Sequence, residues 1–186
     1  MELGKLAGDL GGRIILVPDS GDEILELPFF NDKILVSKES LISRRGEELD
    51  PRDQILIYNY CFFGGKGPVS DEWVGLESFP NSVSKVSTLR RYIEDKLAEA
   101  FSRDPELIRQ RVEATGGVIV HPCNADLCFR IKVFPKIELI FHAWQAEPEE
   151  GFEAFSKVLY NLRAIDFLDL ESLVFAAERA VEKILE

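Results

Sequence analysis

The side chains able to do chemistry concentrate between Gly116 and Trp144, a stretch that holds both histidines, His121 and His142, and two of the three cysteines, Cys123 and Cys128. His121-Pro122-Cys123 followed by Cys128 makes a Cys-x4-Cys pair with a neighbouring histidine, at the loose end of zinc-ligand spacing. His142 or Cys61 would complete four ligands. Structural zinc sites show two tight ligand pairs, and here only one loose pair exists. The same spacing matches a fragment of the plant-type iron–sulfur pattern without the cysteine that should follow two residues on. Zinc or iron held by His121, Cys123, Cys128 and His142 is therefore one expectation, weighed against ordinary thiols in a turn. Nucleophilic catalysis by Cys123 with either histidine would need an oxyanion hole and an orienting carboxylate that the sequence does not identify, so no catalytic residue is assigned.

A second candidate lies just beyond. Trp144 precedes the acidic run Glu147-Pro148-Glu149-Glu150, and an indole beside carboxylates makes Trp144, Glu149 and Glu150 the ligand-binding candidates. The run lacks the alternating Asp and Gly spacing of a calcium loop. A solvated loop after a half-buried strand-end tryptophan is the plainer reading. Two glycine-rich stretches carry less. Gly64-Gly65-Lys66-Gly67 follows a helix and lacks the Ser or Thr of a phosphate loop, and Gly8, Gly11 and Gly12 lack the spacing of a dinucleotide fingerprint, so they are expected in turns. Cys61 is expected to be a small core residue with an inert thiol.

Whether the first candidate is a site at all depends on the elements that position it. Leu127, Phe129, Ile131 and Val133 alternate along one strand and Ile137, Leu139, Phe141 and Ala143 along the next, which predicts a hairpin with these residues on one face. A two-residue turn at Pro135-Lys136 pairs Phe134 with Ile137 and sets His142 opposite Phe129. One bulged residue reverses the parity and sets Cys128 and His142 on the same side. Pro135 cannot take the positive φ of the primed hairpin turns, so the register stays open.

Around the hairpin the pattern is that of one α+β domain. Residues 1–48 read as a three-stranded meander over Ile14–Val17, Ile24–Leu27 and Ile34–Val36, with a turn at Pro18–Asp22. Residues 50–115 are mainly helical. Asp50-Pro51 starts a helix whose many apolar residues suggest burial on most sides, a second runs from about Ser84 to Phe101, and Asp104-Pro105 starts a third. Residues 116–165 hold the hairpin and an edge segment whose Gly151–Leu162 part fits helix or strand, and a helix fills 169–186. One antiparallel sheet, begun by the meander and completed by the hairpin, is expected to pack against three to four helices.

Composition bounds the partners. The chain has 186 residues, 46% of them hydrophobic, enough for a packed core without staples. A net charge of −11 repels phosphate backbones and anionic lipid, so neither nucleic acid nor membrane is an expected partner. The amino terminus lacks a secretory pattern and no run reaches the roughly 18 apolar residues of a membrane span, which suggests a soluble cytoplasmic protein. Three cysteines agree with a reducing compartment and argue against a disulfide framework.

The order of features from about Pro51 to Leu185 resembles a family of uncharacterised proteins of anaerobic bacteria and archaea, domain of unknown function 3786. The residues that carry the resemblance are Asp53 to Tyr60, Trp73 through Phe79-Pro80, Gly116-Gly117, Asp126 through Phe134-Pro135, and His142-Ala143-Trp144 ahead of Glu149-Glu150-Gly151-Phe152. The resemblance implies a soluble α+β domain associated with corrinoid or one-carbon metabolism, in relatives sometimes accompanied by an iron–sulfur segment. No such four-cysteine segment exists in this chain, and Cys123 and Cys128 are not family features. The expected function is that of a non-catalytic accessory or binding module for a protein or small-molecule partner, and the alternative is a zinc or iron protein or metal-dependent enzyme built on the Cys/His cluster.

Overall fold

The computed structural model describes residues 3–16, 22–37 and 40–186. A short helix, α1 (Leu3–Leu10), leads into strands β1 (Arg13–Leu16), β2 (Glu23–Phe29), β3 (Asp32–Val36) and β4 (Leu41–Ser43). After α2 (Pro51–Phe63) and β5 (Trp73–Gly75) comes one continuous helical rod made of α3 (Val83–Leu89), a π-helical turn (Arg90–Glu94) and α4 (Asp95–Arg103). Then follow α5 (Pro105–Ala114), β6 (Val118–Ile119), β7 (Leu127–Phe134), β8 (Ile137–Trp144), β9 (Phe155–Asn161) and α6 (Leu170–Leu185). None of these helices is long and apolar enough to cross a membrane.

The α+β class is as expected, with one correction: the strands form two antiparallel sheets rather than one. β1-β2-β3-β4 is a meander, and β5-β9-β8-β7-β6 is the sheet built on the hairpin. The amide of Phe30, in the β2–β3 turn, donates to the Val133 carbonyl (3.0 Å), and the Phe29 and Phe134 rings meet at 5.1 Å. The sheets therefore touch through a turn and an aromatic contact, and no strand of one is paired with a strand of the other. The meander also has the fourth strand β4, and Gly8, expected in a turn, is helical, while Gly11 turns the chain at φ 74°. The turn expected from Pro18 lies outside the described residues up to Gly21, and so does Val17.

Helix boundaries follow the capping chemistry. Asp50 accepts the Arg52 amide (2.8 Å), Asp104 that of Leu107 (3.0 Å) and Asp169 that of Ser172 (3.0 Å), each satisfying an amide with no partner inside its helix. Gly64 closes α2 in the left-handed conformation (φ 54°), its amide donating to the Tyr60 carbonyl. Within the segment from Gly151 to Leu162, open between helix and strand, Phe155–Asn161 form β9.

On the five-stranded sheet, Leu127, Phe129, Ile131, Leu139, Phe141, Ala143, Val158 and Tyr160 are buried on one face, where α4, α6 and the π turn pack. Arg130, Lys132, Glu138, Ile140, His142, Trp144, Lys157 and Leu159 alternate with them and stay partly or fully exposed, so most of the opposite face is open, while Cys128 on that face is buried. β5 covers β9 only along Leu159 to Asn161. Beside the uncovered part of that edge, Glu94 in the π turn accepts the Val158 amide on its carboxylate (2.9 Å) and the Ser156 hydroxyl on its carbonyl (2.7 Å). The bulged helical turn thus satisfies a strand edge that no strand reaches.

That arrangement makes stability pH-dependent. Burial pushes the Glu94 carboxyl above the ordinary carboxylate range, opposed by the Val158 amide and by Lys157. A raised native value means that the native state holds the proton more tightly than the unfolded chain. The resulting stabilisation is fully present below the unfolded value and is lost as pH rises through the native one. Glu94→Gln keeps an oxygen for the Val158 amide and cannot ionise. Urea midpoints of variant and wild type are expected to move apart in the variant's favour as pH climbs through that window; a constant difference at every pH would overturn this.

Candidate functional site

The hairpin contains the bulge. Lys132 pairs with Glu138 and Phe134 with Ile137, leaving Val133 as the extra residue, and Cys128 faces His142 directly. The bulge lets two successive apolar side chains, Val133 and Phe134, both turn inward, and both are fully buried. The Cys128 carbonyl accepts the Val120 amide (2.8 Å) on the β6 side, so Cys128 and His142 form a pair of the non-hydrogen-bonded type. In such pairs the Cα atoms approach to about 4.5 Å and the side chains lie closest.

Against the expectation of free thiols, Cys123 and Cys128 are joined in a disulfide with Cα atoms 5.7 Å apart. The turn between them is short enough to return the chain onto the start of β7, which brings the two sulfurs together. In this state neither sulfur is a thiolate, and thiolates are what zinc and iron–sulfur centres take from cysteine. Among the described residues no group of three or more His, Cys, Asp or Glu side chains is placed to hold a metal ion. His121 is exposed at the entry to the loop. Burial lowers the His142 pKa, which favours the neutral imidazole.

The loop from His121 to Asp126 is fastened by its surroundings. The Trp144 indole N–H donates to the Asn124 carbonyl (3.1 Å), the Gln145 amide to the Asp126 carboxylate (2.8 Å), and the Arg109 guanidinium of α5 to the Asp126 carbonyl (2.6 Å). Trp144 also meets the His142 ring edge to face at 5.9 Å and the Phe155 ring at 5.4 Å. Trp144 is thus a half-buried anchor, as the plainer reading of the sequence has it. Glu149 and Glu150 sit exposed at the tip of a tight loop closed by paired backbone bonds between Glu147 and Phe152 (2.9 and 3.1 Å). No hydrogen bond joins them to Trp144 among the described residues.

Cys61 is partly buried against the core, and burial pushes its thiol up to about 11, so it stays protonated and unreactive at neutral pH. A cleft of roughly 410 Å³ opens between the β2–β3 turn and α6, with Asp53, Arg179 and Lys183 among its walls. These three charges are already bonded to one another: Arg179 Nε and Lys183 Nζ each donate to an Asp53 oxygen, at 2.8 and 2.9 Å.

One surface went unrecognised in the sequence. The apolar content of α2 suggests burial on most sides, but only Asp53, Leu56, Ile57 and Tyr60 are buried. Ile55, Tyr58 and Phe62 are 54%, 63% and 75% exposed, the last two stacked at 6.1 Å, and Phe63 extends the patch. These residues recur at i, i+3 and i+7, so they form a stripe along the helix. The spacing was visible. A core stripe and a surface stripe on one helix together read as an apolar cylinder, which is why the pattern suggested burial.

A family model described as Domain of unknown function (DUF3786) matches residues 7–183. No curated protein and no solved structure gives a match.

Proposed function

Because the chain belongs to the DUF3786 family, whose description carries no activity, we propose from its own surface that it is a non-catalytic accessory module that docks a partner protein through α2. The carrying observation is the exposed stripe Ile55, Tyr58 and Phe62, continued by Phe63. Single exposed apolar residues are ordinary, whereas contiguous ones mark contact surfaces, and aromatic side chains dominate binding energy at such surfaces. Anchors at i, i+3 and i+7 on a rigid helix suit an apolar groove on the partner. The corrinoid or one-carbon context, in an anaerobe's cytoplasm, is attached to this reading by resemblance alone, and the partner's identity decides it.

A photo-crosslinking amino acid placed at Tyr58 is expected to give a discrete protein adduct in host cells. The adduct should vanish when Phe62→Glu is added, and a crosslinker at Leu16, an exposed apolar residue of the meander, should give none. Phe62→Glu should leave stability within about 0.5 kcal/mol, as surface substitutions do. No adduct, or the same adduct at both positions, would sink the proposal.

A further inference from the structure

We propose that the Cys123–Cys128 disulfide is a thiol-exchange site that takes a dithiol as its reductant and is opened by attack on Cys123. The inference is independent of the α2 surface. The two sulfurs differ in access: Cys128 is 3% exposed beneath the loop, whereas Cys123 is partly exposed, between exposed Pro122 and Asn124. An incoming thiolate therefore reaches Cys123 more readily than Cys128, and exchange requires access to the attacked sulfur.

The crosslink also lies at the margin of the packed centre, with Cys128 buried and Cys123 partly exposed. Neither cysteine belongs to the main hydrophobic cluster, and the sequence separation it spans is 5. The loop is independently held by Trp144, Gln145 and Arg109. Opening the bond consequently leaves both thiols in place for reclosure. A hydrogen-bond donor faces the Cys123 sulfur as well. The Ala125 amide donates to Cys123 Sγ (3.4 Å), and His142 pairs with Cys128 across the β7–β8 register.

In the first step one thiolate of the dithiol bonds to Cys123 Sγ while the Cys123–Cys128 bond breaks, and the electron pair leaves on Cys128 Sγ, which takes a proton from water. In the second, the other thiolate of the dithiol attacks its partner sulfur in the mixed disulfide and releases Cys123 as a thiolate, which takes a proton from water. The net change is two electrons from the dithiol, which becomes a disulfide, to the protein, which gains two thiols.

The full-length protein, folded and without denaturant, is treated with dithiothreitol and then iodoacetamide, and alkylation is mapped by mass spectrometry. Cys123 is expected to be alkylated first, well ahead of buried Cys128, with the fold retained by circular dichroism. Labelling that appears only after unfolding overturns the proposal and makes the bond a structural staple. A second measurement reads which sulfur is attacked. Exposing the reduced variants to glutathione disulfide should load Cys128→Ser at Cys123 about tenfold faster than Cys123→Ser at Cys128, because the first sulfur is the more open to solvent. Equal loading overturns it. If a variant fails to fold, the same site preference is read on the wild-type protein by trapping the mixed disulfide during partial reduction with glutathione.

Discussion

Replacing Arg179 with Met is expected to lower the unfolding free energy by about 3–5 kcal/mol, the usual cost of removing one partner from a buried ion pair. Arg179 is 2% exposed in α6, and its guanidinium reaches Asp53, Glu182 and Asp50. Burial by itself would lower the arginine pKa, but the hydrogen bonds it donates to Asp53 and Glu182 outweigh it and raise the value. Without Arg179 the Asp53 carboxylate keeps only Lys183 and sits buried with half its compensation gone. Asp53→Leu combined with Arg179→Met should recover much of the loss, since an apolar pair of similar volume leaves no orphaned charge. Urea unfolding of the two single variants and the double variant checks this. A single substitution costing less than about 1 kcal/mol would show that the network tolerates opening and that water reaches Asp53.

Phe134→Ala carries a similar expected cost, about 3–5 kcal/mol for a large aromatic deleted from a core. Its ring stacks on Tyr60 with centroids 4.1 Å apart and planes within 4°, and meets Phe29 at 5.1 Å. Tyr60 in turn donates its hydroxyl to the Leu10 carbonyl (3.0 Å). One ring therefore lies where the meander, α1, α2 and the five-stranded sheet converge. Phe62→Ala, on the exposed side of α2, is the control and should change stability by no more than about 0.5 kcal/mol. Denaturant midpoints and slopes of the pair give the comparison. Equal effects would mean that the shared core is not organised around this ring.

The parts of the fold that could be anticipated were those fixed by neighbours in the chain. Asp50-Pro51, Asp104-Pro105 and Asp169 announce helix starts because an N-cap needs only its own carboxylate and an amide two or three residues on. Leu127 to Val133 and Ile137 to Ala143 announce their inward faces because pleating alternates side chains whatever the partner strand. The aromatic character of α2 was equally plain, but which of its aromatics face water was not, since that depends on how much of the helix the remaining elements cover.

The Cys and His residues show the same division at closer range. Local sequence narrowed their relation to a single parity, that of the turn at Pro135, and could go no further because Pro135 permits more than one turn. The bulge at Val133 settled it, and its stabilisation comes from elsewhere: the Val133 carbonyl accepts the Phe30 amide from the other sheet, and Phe134 fills the space against Tyr60. Cys128 consequently lies opposite His142 and bonds to Cys123. Residue types and periodicity were enough for the elements and their buried faces. Register, sheet separation, the disulfide and the uncovered side of α2 were decided by contacts between residues far apart in the chain, whose energies no local pattern contains.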